Sequence, residues 1–202
     1  MADPASDSQM AEEALSPLVP KDPTRRQQRL EEHRDRLYQL VQESPDSIRP
    51  ATVFFSGGLT TKQLQLLMEE HRLEVIDAHV KAPQGNNGVV MSIMFGSSDL
   101  LASDGDLSSR LSFVIDAHQK CFAKSAKLRP ADDAQEWMDL STVPFLVYSV
   151  RIFGSATALQ QLQNTSGVTS VMLNLRERLI DDFRNQQKTK GPNIYKMPGF
   201  LC

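Results

Sequence analysis

The chain has 202 residues, a formal net charge of −3, 40% hydrophobic but only 6% aromatic residues, and two cysteines, which fits one globular domain with extensions at its ends or at most two small domains. Acidic and basic residues are intermixed, which removes the electrostatic case for a dedicated nucleic-acid binder, and no stretch reaches the ~20 apolar residues that span a bilayer. Cys121 and Cys202 are too few and too far apart in sequence for a disulfide framework or a four-ligand zinc site.

The first residues, MADPASDSQMAEEAL, are acidic and lack an apolar core after a basic start, so they do not read as a signal peptide and the chain is expected to be cytoplasmic. Residues 1–21 are rich in Ala, Ser, Asp and Pro without a period, which predicts a disordered acidic N-terminus. Asp22 and Pro23 then supply an N-cap and a first-turn proline. Leu30, Leu37 and Val41 recur at spacings of seven and four with Tyr38 alongside, giving a helix of about five turns within a helix-and-linker segment over 22–50. Its other faces carry Arg25, Arg26, Arg29, Glu31, Glu32, Arg34, Asp35 and Arg36. Leu30, Leu37, Tyr38 and Val41 are the candidate partner-binding residues, set against the simpler account of a solvated helix lying on its own domain.

A single α+β domain is expected over 51–187. It opens with a short apolar strand at 52–55, broken by Ser56, Gly57 and Gly58, after which Thr60 and Gln63 form a capping box. Leu64, Leu67, Met68 and His71 share one helical face. From Leu73 the period changes to two, with Ile76, Ala78 and Val80 on one side and Val75, Asp77 and His79 on the other. Gly85, Asn86, Asn87 and Gly88 suit a tight hairpin leading to an apolar strand at 89–95. Asp106 caps a helix striped by Leu107, Leu111, Val114, His118, Cys121 and Phe122. A turn-prone segment around Pro130 leads past Trp137 and Met138 to Pro144, then to a strand at 145–153, a helix capped by Ser155, a strand at 168–175 and a helix over 176–187. The last stretch, 188–202, holds two Pro and two Gly and reads as an irregular tail.

An internal repeat supports this layout. At an offset of 95 residues Thr60 corresponds to Ser155, Leu64 and Leu67 to Leu159 and Leu162, and Leu73, Ile76, Ala78 and Val80 to Val168, Val171, Leu173 and Leu175. Val53 and Phe55 fall on Tyr148 and Val150. Two strand-helix-strand units of one pattern predict a ferredoxin-like α+β sandwich of two βαβ units, with a mixed or antiparallel sheet, helices mainly on one face and an added N-terminal helix. A second parsing takes the contiguous elements from 52 to 153 as βαββαβ and treats the last strand as an addition; strand pairing decides between them.

Chemistry-bearing residues are sparse. The pentapeptide Val-Ile-Asp-Ala-His occurs at 75–79 and again at 114–118, each followed two residues later by Lys81 or Lys120. On a strand Asp77 and His79 share a face, whereas on a helix Asp116 and His118 stand about 200° apart. Convergence of Asp77, His79, Asp116 and His118 on a divalent metal is one hypothesis, since imidazole and carboxylate suit zinc. A Cys-His-Asp arrangement using Cys121 and His118 is another. Neither has a diagnostic spacing, and no phosphate loop, nucleophile elbow or dinucleotide fingerprint is present. Ser56, Gly57 and Gly58, between a strand and a helix, could hold an anion but are more simply a turn.

The expectation is a non-catalytic protein-interaction or regulatory module that needs no cofactor, binding another protein or a second copy of itself, with no membrane partner and no nucleic acid. The alternative is a small metal-binding or hydrolytic domain built on the two Asp-Ala-His segments.

Overall fold

The computed structural model describes residues 22–82, 92–96, 100 and 104–174. The N-terminus 1–21, the hairpin turn at 85–88, the helix expected over 176–187 and the tail 188–202 lie outside the described residues.

In chain order the elements are α1 (Pro23–Glu43), β1 (Ile48–Leu59), α2 (Thr61–Glu70), β2 (Glu74–Lys81), β3 (Ser92–Phe95), α3 (Leu107–Ala126), α4 (Ala131–Leu140), β4 (Leu146–Ser155), α5 (Ala156–Gln163) and β5 (Val168–Leu173). The strands form one sheet in the order β3-β2-β4-β1-β5, and every neighbouring pair is antiparallel. This is the expected α+β class. β1 and β2, joined through α2, run the same way on either side of β4; β4 and β5, joined through α5, flank β1.

Local chemistry starts each helix. The Asp22 carboxylate accepts from the N–H groups of Thr24 (2.9 Å) and Arg25 (3.1 Å), with Pro23 in the first turn where its missing N–H costs nothing. Thr60 accepts from the Gln63 N–H while the Gln63 side chain accepts from the Thr60 N–H, a complete capping box. Ser155 and Asp106 accept from the N–H three residues on, at Ala158 and Ser109.

One sheet face carries the core. Ala51, Val53, Phe55, Ala78, Val80, Phe95, Val150, Ile152, Val171 and Leu173 pack with Leu64 and Met68 of α2, Leu111, Val114 and Phe122 of α3, Leu140 of α4, and Leu159 and Leu162 of α5. Fully burying such a side chain is worth about 1.5–3 kcal/mol, so this layer is the main source of stability. Leu37 of α1 joins it, whereas Leu30 of the same helix packs against Phe54 and Met172 on the opposite face. That helix therefore wraps the β5 edge.

Three local expectations change. β1 is a twelve-residue strand: Ser56, Gly57 and Gly58 do not end it, because pairing with β4 resumes at Leu59 opposite Val147 after a register shift that Gly58, at φ +67°, can absorb. In β2 the alternation slips. Val75 lies opposite Ile152 but Asp77 lies opposite Arg151, so Ile76 is the extra residue and Val75 is the one packed on the core. The segment after Pro130 is helical, not a turn: Pro130 stands at the N-cap position without a side-chain cap bond, and its ring keeps the helix from extending backwards. That helix is held by Leu140 in the core and by Trp137, whose ring meets Phe122 edge-on at 5.5 Å and Arg129 at 4.1 Å.

Candidate functional site

Asp77 and His79 stand on the sheet face opposite the main core. Register puts Met172, Thr52, Arg151 and Asp77 in one row across this face and Ser170, Phe54, Ser149, His79 and Met94 in the next. Asp77 is buried and its carboxylate forms an ion pair with the Arg151 guanidinium. Both carboxylate charge and guanidinium are thereby committed to each other. Beside them Lys81, also buried, holds its Nζ 5.8 Å from the centre of the Tyr148 ring. Burial lowers the His79 pKa below its ordinary value; the Lys81 charge adds to this and the Asp77 carboxylate opposes it. A neutral imidazole is the consequence.

The second pentapeptide lies elsewhere. His118 sits on the helical side of the sheet, its ring edge-on to Phe95 at 5.2 Å and to Phe122 at 6.4 Å, with Nδ1 3.0 Å from the Val114 carbonyl oxygen. Phe95 pairs with Ala78 while His79 pairs with Met94, so the sheet itself separates the two histidines. Asp116 is exposed on α3. The structure brings Asp77 and His79 onto one face and does not bring Asp116 or His118 to them. Among the described residues no group of three or more His, Cys, Asp or Glu is placed to hold a metal ion.

Cys121 is disulfide-bonded and so is not a thiol nucleophile, which removes the Cys-His-Asp arrangement. The Ser56 stretch is part of β1, with the Ser56 N–H donating to the Gly167 carbonyl at 3.0 Å, and the α2 N-terminus behind it is capped by Thr60. Its amides serve the fold.

The candidate partner stripe of α1 is largely used internally. Leu37 is fully buried in the core, Leu30 packs on Phe54 and Met172, and Val41 is half-buried, which leaves Tyr38, 58% exposed, facing solvent. Other large apolar side chains face outward where the sequence did not single them out: Leu66 on α2, Phe113 on α3 and Met94 on β3. The ion pair was also missed. Its signal was a lone Arg in an otherwise apolar strand, Arg151, and a lone Asp in another, Asp77, each needing an opposite charge once buried.

No helix among the described residues is long and apolar enough to cross a membrane. No protein-family model, curated protein or solved structure matches the chain.

Proposed function

We propose that the chain is a non-catalytic protein-interaction or regulatory module built on a ferredoxin-like sandwich of two βαβ units. The strand order β5-β1-β4-β2, all antiparallel, supports the split βαβ layout, with β3 added beside β2 and with α3 and α4 inserted between the repeated units. A Thr60 or Ser155 cap followed four residues later by a fully buried leucine, Leu64 or Leu159, supports the repeat.

The observation that carries the functional reading is the commitment of the chemistry-bearing side chains to internal partners: Asp77 to Arg151, Lys81 to Tyr148, and His118 to the Val114 carbonyl and two phenylalanine rings. A catalytic or metal centre needs such groups to converge on one open point, and these lie on opposite faces of a sheet. The partner of such a module is another protein or a second copy of the chain, and Leu66, Phe113 and Met94 are apolar side chains available to it.

Sedimentation velocity over a wide range of chain concentration, alone and with proteins recovered by proximity labelling in cells, tests this. The expected result is a reversible complex weakened by Leu66→Ser or Phe113→Ser. A chain that stays monomeric at every concentration and binds none of the recovered proteins overturns it, as does a stoichiometric metal found by elemental analysis.

A further inference from the structure

We propose that two copies of the chain pair through the outer side of α3, antiparallel about a two-fold axis at Phe113, with Asp106 of each copy against Lys120 of the other. The proposal rests on the interaction-module reading and commits it to one partner, a second copy. At about 100° per residue, Leu111, Val114, Ile115 and Phe122 share one side of α3 and are buried in the core, while Phe113 points the opposite way and is 49% exposed. Asp106, Ser109, Asp116, Lys120, Lys124 and Lys127 are exposed as well. Asp106, Phe113 and Lys120 recur at intervals of seven residues, which sets them in one seam, neighbours about 10.5 Å apart.

Charge along the seam changes sign at Phe113. Asp104 and Asp106 lie before it, and Lys120, Lys124 and Lys127 lie after it. Between them, Arg110 is half-buried and tied back to the Gly105 carbonyl through its Nε at 2.7 Å, and Asp116 stands about 60° off the seam. Helix α2 extends the acidic end. Thr61 Oγ1 lies 3.0 Å from Ser108 Oγ and 3.1 Å from Ser112 Oγ, and the Gln65 side chain accepts from the Ser108 N–H at 3.0 Å. The two helices therefore run antiparallel, and the last turn of α2, with exposed Glu69 and Glu70, lies beyond the start of α3. Acids at a helix N-terminus and bases at its C-terminus also suit the helix dipole. The dipole gives no reason for a large ring exposed midway between them.

Such a pattern is complementary to its own reverse. Laying a second α3 antiparallel on the first maps Asp106, Phe113 and Lys120 onto Lys120, Phe113 and Asp106. Because the two spacings are equal, both ion pairs and the contact between the Phe113 rings form in a single register. Ser109 and Ala117, four residues to either side of Phe113, are small enough to let the helices approach to the usual 8–10 Å between packed axes. A parallel pairing would instead set Lys on Lys and Asp on Asp. The antiparallel one is closed by its two-fold axis and stops at a dimer. With one aromatic ring per copy and exposed ion pairs, it is weak and salt-sensitive.

Sedimentation velocity of charge-reversed full-length chains tests the pairing. The wild type is expected to dimerise reversibly, and less as salt rises. Asp106→Lys and Lys120→Asp each set like charges together in a homodimer and are expected to weaken it at least about tenfold. Mixed in equal amounts, the two variants are expected to form a heterodimer, because opposite charges then meet at both sites. A mixture that associates no better than either variant alone overturns the pairing, as does a Phe113→Ser chain that dimerises like the wild type. A wild type that stays monomeric yet binds a protein recovered from cells overturns the pairing and leaves the interaction reading standing; one that binds nothing overturns both. Because Asp106 also caps α3, benzoylphenylalanine at position 113 supplies a second readout with the cap intact. With light and heavy isotope-labelled copies mixed, light-to-heavy photo-cross-links from position 113 to the stretch 109–117 support the pairing. Cross-links to any other stretch, or only within one copy, overturn it.

Discussion

Asp77 and Arg151 face each other across the antiparallel β2–β4 pair, with carboxylate and guanidinium in direct contact although 74 residues separate them in sequence. The pair is asymmetric: the Asp77 side chain is 8% exposed and that of Arg151 39%. Removing Arg151 strands a buried carboxylate, whereas removing Asp77 leaves a guanidinium that water can reach. Arg151→Ala is therefore expected to cost about 3 kcal/mol and Asp77→Ala about 1–2 kcal/mol. Urea unfolding of both, and of Asp77→Leu with Arg151→Met, checks the order; the double variant should lose less than Arg151→Ala alone.

Two glycines of the repeated strands make opposite predictions. A Cβ at Gly154 would overlap Leu73 Cδ2 and come within 3.4 Å of Leu159 Cδ2, and both leucines are packed in the core. Gly154→Ala is expected to cost about 1–3 kcal/mol as overpacking. At Gly57 a Cβ meets nothing within 4 Å, so Gly57→Ala stays within about 0.5 kcal/mol of wild type. Thermal unfolding of the two single variants measures the contrast.

What the sequence made legible was local. Asp22, Thr60, Asp106 and Ser155 cap their helices as expected, because a cap bonds an amide only two or three residues away. The long helical stripes of α1 and α3 were equally readable. The features that escaped depend on distant chain. The slip at Val75 and Ile76 is set by register with β4, the continuation of β1 past Gly58 by Val147, and the helix after Pro130 by Trp137 and Leu140 finding Phe122 and the core. The candidate site shows the same limit. Identical pentapeptides were read correctly as strand and helix, yet which sheet face each occupies follows from strand order, which no short motif encodes.

Helix α1 belongs to the domain core, and adjacent residues test it. Leu37 is 1% exposed and packs with the main cluster, whereas Tyr38 is 58% exposed. Leu37→Ala is expected to destabilise the whole domain by about 2–5 kcal/mol, the range for a leucine cavity. Tyr38→Ala should shift stability by no more than about 0.5 kcal/mol. Chemical denaturation followed by circular dichroism should give one cooperative transition for both. A separate early transition in Leu37→Ala would mean that α1 is an appendage rather than a layer of the fold.

The two half-buried histidines with lowered pKa predict an acid limb of stability. Burial depresses His79, assisted by Lys81 against Asp77, and burial depresses His33, assisted by Arg29 and Arg36 against Glu32. The unfolded chain therefore takes up these protons near the ordinary value of 6.5, while the folded chain resists until lower pH. Their contribution is complete above 6.5 and is lost as pH falls below it toward the folded values. Asp106 acts in a separate window. Its carboxylate, held below its usual 3.8 chiefly by the Ser109 hydroxyl and amide, loses its stabilising effect only as pH falls below that value. The urea midpoint should thus decline between about pH 7 and pH 5 in the wild type, and His33→Gln with His79→Gln should flatten that decline while leaving any loss below 3.8 in place. A variant whose midpoint still falls as steeply as wild type through this range would show that other groups carry the acid limb.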